Sequence, residues 1–449
     1  MTHHTVPSPA PAAGDDRRPN GARLLDTALA AVEHSERAAR RSLCLIPAEN
    51  TLVPAARLPY LADLAARYMF DDHPDPAEAT WRFPAAREAQ WLETGLAVPL
   101  LQQLLGAAHV NVRPLSGLQA MQLTIAALPP GATVAVLAPE QGGHYATAGI
   151  AQRLGHPVVT LTGPDPHHLD PATVAEACRA RRPALLYVDQ CHTLLPYDLA
   201  ALCAAVKDAS PATLVHADIS HLLGLVMGGA VQNPLAAGAD SLSASTHKSF
   251  AGPQKGILAT NSADLAQAWR SVQPQIVSNH HFGSVAALGI ALAAFADRAD
   301  TYARTVIETA RALGKELAAL GWDVAGAEFG HTRTHQLWVT TDPRLPARRA
   351  AERLYAAGIR VNWLTDLPLP GPALRLGLAE AVWRGLGPGN MAHAAQLIDQ
   401  ALTRARPADR IAADVAELCA GERFPFAARP DSAATARLSG LLLGTEAGR

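Results

Sequence analysis

Lysine is nearly absent from this chain. Of 38 lysines and arginines in 449 residues, only Lys207, Lys248, Lys255 and Lys315 are lysines. Where a bare positive charge suffices the chain uses arginine, so a lysine in the small, hydroxylated stretch SLSASTHKSFAGPQKGILATN (241–261) asks for a chemical reason. Arginine keeps its proton, whereas lysine can lose it and attack as an amine. Cysteine is equally sparse: the five, at 44, 178, 191, 203 and 419, form no CxxC or CxxxC pair. That spacing excludes a zinc ribbon or a disulfide framework and suits a reducing cytoplasm. Only 17% of residues are charged, the net charge is −2 and no long basic run occurs, so neither nucleic acid nor a membrane surface is an expected partner. No apolar run reaches membrane-spanning length without charges or prolines. The opening MTHHTVPSPAPAAGDDRRPNGA lacks the profile of a signal peptide and is expected to be a disordered leader over residues 1–22.

What the chain does have is apolar mass, 49% of its residues. From about residue 95, β-branched runs at 133–138, 157–163, 184–190, 213–220, 241–246 and 256–261 alternate with Ala/Leu-rich segments of helical period. Such alternation predicts a mainly parallel sheet covered by helices, with ligands at the carboxyl ends of its strands. Beyond about residue 285 a long Ala-rich helical stretch precedes strand-like runs at 335–341, 358–363 and 373–378. The expected organisation is an N-terminal arm (23–60), a large domain (61–290), a smaller C-terminal α/β domain (291–430) and a tail (431–449).

Several strand ends carry chemistry. Asp218 and His221 close LVHADISH, Lys248 follows SLSAST, and Arg375 lies in ALRLG. A carboxylate, an imidazole, an amine and a guanidinium on separate strand ends suit pyridoxal phosphate: the lysine forms a Schiff base, the aspartate keeps the ring nitrogen protonated, and the arginine grips an amino-acid carboxylate. Ser116, Gly117 and Gln119, at the start of an amphipathic helix, offer donors for a phosphate. Taken singly, Ser-Gly before a helix is an ordinary cap and Asp-x-x-His an ordinary loop hydrogen bond. Cys191, His192, His167 and His168 lack a second pair at metal-ligand spacing, so no metal is expected.

In order along the chain, CLIPAENTLVP (44–54), NVRPLSGLQAM (111–121), QGGHYATAG (141–149), ADISHLLGLVMGG (217–229), STHKSFAGPQKG (245–256) and LRLGLAEAVWRGLG (374–387) resemble the motifs of the serine hydroxymethyltransferases. The resemblance implies an aspartate-aminotransferase-like, fold type I α/β architecture with a mainly parallel seven-stranded sheet, pyridoxal phosphate as cofactor, and a homodimer with shared sites. It implies that Lys248 carries the cofactor, Asp218 pairs with the ring nitrogen, His221 approaches the ring hydroxyl and His144 stacks on the ring. Ser116, Gly117, Gln119 and Thr246 would complete the cofactor site. Arg375 and Glu49 would bind substrate, Tyr68 would enter from the partner subunit, and His247 would relay protons or simply pack beside the cofactor.

Departures from the family pattern carry the functional expectation. Met69 and Phe70 follow Tyr68 where the family has Ala-Glu, and Arg82, Phe83, Pro84 and Ala85 stand where it has Tyr-Tyr-Gly-Gly. Ala48, Thr147 and Gln254 replace a serine, a histidine and an arginine, and QPQIVSNHHFG (273–283) replaces a glycine-rich segment. A phenylalanine neither exchanges a proton nor hydrogen-bonds a pteridine, so folate chemistry is disfavoured. The pattern is most similar to the L-threonine transaldolases of specialised metabolism, which cleave L-threonine to acetaldehyde and pass the glycyl unit to an acceptor aldehyde. The alternatives are a folate-dependent serine or 2-methylserine hydroxymethyltransferase, a simple threonine aldolase, and an inactive binding module. His73, Arg82, His280 and His281 are candidates to face the acceptor.

Overall fold

The computed structural model describes residues 21–68, 83, 89–342, 344–364, 367, 369, 371–421 and 424–445. After a short strand in the arm, β1 (Leu43–Cys44), seven strands build the large sheet: β2 (His109–Asn111), β3 (Val134–Leu137), β4 (Val158–Leu161), β5 (Leu185–Asp189), β6 (Leu214–Asp218), β7 (Ser241–Ser245) and β8 (Gly256–Thr260). Their order is β2-β8-β7-β6-β5-β3-β4. The five from β3 to β7 run parallel, and β8 is antiparallel to both β7 and β2. Only residues 246–255 join β7 to β8, too few for a helical crossover, so the chain must reverse there. Strand β2, three half-buried residues, carries no period a sequence reading could find.

Strands β5 and β7 are buried along their whole length, as expected where helices cover both faces. Several of those helices begin at side-chain caps: Ser116, Asp170, Asp198 and Ser262 each accept a backbone N–H of the first turn. Between β3 and β5 the strand order changes direction, because β4 lies on one side of β3 and β5 on the other. A crevice at the carboxyl ends follows from that switch.

A second core gathers around an antiparallel sheet, β12-β13-β10-β9, built from β9 (Asp323–Val324), β10 (Gln336–Thr340), β12 (Asn362–Leu364) and β13 (Ala373–Gly377). The run expected as one strand over 358–363 is divided: β11 (Ile359–Arg360) pairs with β1 of the arm, and β12 joins the sheet. The helix Ala299–Ala319 serves both cores, with Tyr302 and Val306 in the first and Leu313 and Leu317 in the second. The helical stretch Phe282–Ala319 is long and apolar enough to cross a membrane by composition, but 72% of its apolar window is buried inside the fold.

The arm is stitched to the second core. Leu43 and Leu45 donate to the carbonyls of Gly358 and Arg360, and Gly377 donates back to Leu45 at 2.8 Å. A Cβ at Gly377 would lie 2.5 Å from Pro47 Cα, so this close passage requires glycine. The helix Gly21–Arg40 that precedes the arm has no buried residue.

Beside β2 and β8 lies a buried ionic cluster. Glu93 accepts from Arg113 Nε at 2.9 Å and from His280 Nε2 at 3.1 Å, while Lys255 Nζ donates to the His280 carbonyl at 2.8 Å. Burial opposes ionisation of Glu93, but the permanent charge of Arg113 outweighs it and holds the carboxyl well below the usual range. Burial pushes Lys255 down to about 7. Removing the carboxylate takes the buried negative charge from between Arg113 and His280, so Glu93→Gln is expected to lose about 3–5 kcal/mol in denaturant melts at pH 7. Because the folded pKa is depressed, that contribution is complete above the unfolded value of about 4.3 and disappears as pH falls toward the folded one. The gap between wild type and variant should therefore narrow below about pH 4.

Candidate functional site

Lys248 sits in the loop between β7 and β8, and three distant segments hold that loop. Asn50 Nδ2 donates to the Lys248 carbonyl at 2.8 Å, Tyr302 Oη donates to the Ser249 carbonyl at 2.6 Å, and Gly224 N donates to Ser249 Oγ at 3.1 Å. A Cβ at Gly224 would lie 2.4 Å from the Ser249 carbonyl oxygen. The backbone is thus fixed and the side chain aimed at His221, whose Nε2 is 3.4 Å from Lys248 Nζ. Burial lowers the pKa of Lys248; Cys191 and Asp218 oppose the shift and Arg375 adds to it. The amine therefore reaches its uncharged, nucleophilic form more readily than in water.

Lys248 shares one cavity with Gly117, His144, Asp189, Cys191, Asp218 and His221. Asp218, at the end of β6, accepts from Tyr187 Oη at 2.9 Å, Ser243 Oγ at 3.2 Å and the backbone N–H of Ser220 at 2.8 Å. These donors fix the carboxylate as an acceptor and set its rotamer. The His221 ring lies parallel to that of His335, with centroids 5.6 Å apart, and Cys191 Sγ is 3.8 Å from His221 Nε2. Burial holds both imidazoles below their ordinary value, His335 at about 3. His144 is kept neutral by the same cause, and its Nδ1 accepts from Ala146 N at 3.2 Å. Gly117 opens a ten-residue helix capped by Ser116, so backbone N–H groups face the cavity floor where an anion would sit.

Arg375 reaches the cavity wall from β13. Its guanidinium donates to His192 Nδ1 at 2.9 Å, to the Cys191 carbonyl at 3.4 Å and to Asn362 Oδ1 at 3.2 Å. Burial and the Arg375 charge push His192 down to about 3, so it stands as a neutral acceptor beside the guanidinium. A planar guanidinium at the cavity wall has the geometry to hold a carboxylate.

Gly117, His144, Asp218, His221 and Lys248 therefore come together as expected, with Ser116 and Arg375 beside them. Other expected residues sit elsewhere in this chain. Gln119 spends its side chain on Leu115 N and the Ile276 carbonyl, and Thr246 turns its hydroxyl to the Pro253 and Lys255 carbonyls. Glu49 is exposed, with Cys44 Sγ at 3.7 Å. Tyr68 is 48% exposed and its ring lies 5.2 Å from that of Phe83. His247 is half-buried beside Lys248 and pushed down to about 4 by burial and the neighbouring amine. Of the acceptor candidates, His280 is tied to Glu93, His281 packs its ring on Tyr60, and His73 and Arg82 lie outside the described residues, as do Met69 and Phe70. Sequence reasoning missed Tyr187, Asp189, Cys191, His192 and His335. The first four lie on or just beyond β5, a strand whose end was the signal.

The residue set fits pyridoxal phosphate on its own chemistry: a buried amine, a carboxylate held by three donors, a helix amino end, and unpartnered buried atoms on Asp189 and His221 in the same wall. Comparison with known proteins agrees. The serine hydroxymethyltransferase family model matches residues 100–398. The chain belongs to the serine hydroxymethyltransferase family. An L-threonine:uridine-5'-aldehyde transaldolase from a Streptomyces species is 43% identical over 78% of this chain and 85% of its own. The serine hydroxymethyltransferase of Thermoplasma acidophilum is 31% identical over 88% of this chain and 93% of its own. The crystal structure of an L-threonine transaldolase from Pseudomonas fluorescens in its internal aldimine state superposes with a TM-score of 0.81 at 26% identity, covering 93% of this chain and 98% of that one.

As a member of this family the protein is a pyridoxal phosphate-dependent enzyme of fold type I. The cofactor supplies an aldehyde and an electron-withdrawing ring when bound, and Lys248 is the residue that would supply the amine. Borohydride should fix the cofactor covalently to the wild-type chain, read as added intact mass, and Lys248→Arg should show none of it. Labelling of the variant at another residue would displace Lys248 from its role.

Proposed function

We propose that the protein is an L-threonine transaldolase that releases acetaldehyde from L-threonine and transfers the glycyl unit to an acceptor aldehyde, forming a β-hydroxy-α-amino acid in natural-product biosynthesis. The likeness to the Streptomyces transaldolase, 43% against 31% for the Thermoplasma hydroxymethyltransferase, carries this reading. Phe70, standing where the family has a glutamate, supports it.

The chain's own groups suit the chemistry. Arg375 would grip the threonine carboxylate while neutral His192 holds the guanidinium in place. The β-hydroxyl proton would leave to an uncharged imidazole, and His144 and His221 are the cavity-lining imidazoles among the described residues. His221 also stands within reach of the Lys248 amine for proton exchange. A nucleoside aldehyde is the acceptor class favoured by relatives named for uridine-5'-aldehyde at 40–43% identity. A homodimer is supported by Tyr68, which faces outward, and by exposed Leu115, Leu118 and Tyr145 beside cavity-lining positions. Five free cysteines support a cytoplasmic setting.

Purified enzyme should release acetaldehyde from L-threonine without folate and, with added benzaldehyde, form a new β-hydroxy amino acid. Serine cleavage only with tetrahydrofolate would establish the hydroxymethyltransferase instead, and glycine with acetaldehyde but no new β-hydroxy amino acid in the presence of benzaldehyde would establish an aldolase. Arg375→Lys, which loses the planar fork, should raise the threonine KM by about 10- to 100-fold with the cofactor absorbance retained.

A further inference from the structure

Asp189 ends β5 directly beside Asp218 at the end of β6, and the two are register partners, so their side chains leave the same face of the sheet. Asp189 is 3% exposed. Thr147, itself buried, donates its hydroxyl to Asp189 Oδ2 at 2.5 Å. The other oxygen, Oδ1, is buried without a hydrogen-bond partner, in a residue that lines the cavity with Lys248 and His144. Asp218 by contrast has three donors.

An unpartnered carboxyl oxygen is a poor structural choice on a strand that otherwise buries Leu185, Leu186 and Val188. An apolar side chain would serve the fold better, so the oxygen is retained for something that enters the cavity. We infer that Asp189 is a second carboxyl contact to the bound cofactor, aimed by Thr147, meeting the ligand with Oδ1 from the strand beside Asp218. The groups facing it are the Thr147 hydroxyl, the backbone of His144 and of Asp189 itself, Asp218, Tyr187, Cys191 and Tyr197. Burial, with the charge of Asp218 adding to it, pushes Asp189 up to about 7. Near neutrality it therefore carries a proton for part of the time and can donate where Asp218 only accepts. As pH rises through that value the proton is lost, the donor disappears, and a second negative charge stands beside the first.

The inference rests on the cofactor and not on the choice of substrate. An enzyme that binds pyridoxal phosphate but leaves threonine intact would sink the transaldolase reading and leave this one standing. The test compares holoenzyme carrying Asp189→Leu or Asp189→Asn with wild type, measuring the pyridoxal phosphate dissociation constant by dialysis and the visible circular dichroism of the bound cofactor between pH 6 and 8.5. Asp189→Leu should weaken binding about tenfold and diminish the dichroic band, without lowering the unfolding midpoint of the cofactor-free protein. Asp189→Asn, which keeps a donor at all pH values, should bind within about threefold of wild type at pH 6 and lack the extra loss of affinity that wild type shows above pH 7. Titration of the lysine is common to both, so the difference between their profiles isolates position 189. Unchanged affinity and dichroism in Asp189→Leu would overturn the inference. Should that variant fail to fold, an Asp189→Asn profile superimposable on wild type would do the same.

Discussion

Everything at this site depends on drying an amine so that its charged form is disfavoured. Water would hold Lys248 as an ammonium ion; the wall of β-strand ends removes that water, and Arg375 adds its own repulsion. The same dryness strips charge from His144, His192, His221 and His335. The result is a pocket of neutral imidazoles between the Asp218 carboxylate and the Arg375 guanidinium, and the balance of charge in it turns on those two groups.

The balance is also geometric, because the groups come from two cores. Lys248, Asp218 and His221 belong to the large sheet, whereas Arg375 and His335 come from the antiparallel sheet of the second core. Arg375 reaches across to the Cys191 carbonyl, and Thr334 and Gln336 donate to the carbonyls of Thr193 and Cys191. Backbone just beyond β5 is thus the seam along which residues of the two cores are aligned.

Much of this was legible from residues alone. Six of the seven strands in the large sheet announce themselves by β-branched runs between turn residues, and Asp218, His221 and Lys248 stand at their ends. Strand β2 escaped because three residues carry no period, and the reversal of β8 escaped because direction is a property of the connection. Gln119 stands at a helix start and Thr246 beside the lysine loop, and in the fold their side chains bond to backbone groups nearby. Asp189 was passed over although it closes the apolar run of β5 just as Asp218 closes β6. Side-chain direction at a strand end, which decides such cases, is set by pairing with residues far away in sequence.

The arm carries one further meaning, in the order of events. Within the segment from Leu43 to Val53 the chain pairs with Gly358 and Arg360, accepts from Gly377, holds the carbonyl of Lys248 through Asn50 and contributes Val53 to the large core. Its partners in the second core lie more than 300 residues further along the chain. Every lock on the Lys248 loop, from Asn50, Gly224 and Tyr302, is in the chain once position 302 has been made, whereas β11 and β13, which anchor the arm, follow it. The loop can therefore be held by the large core before the arm has its sheet partners.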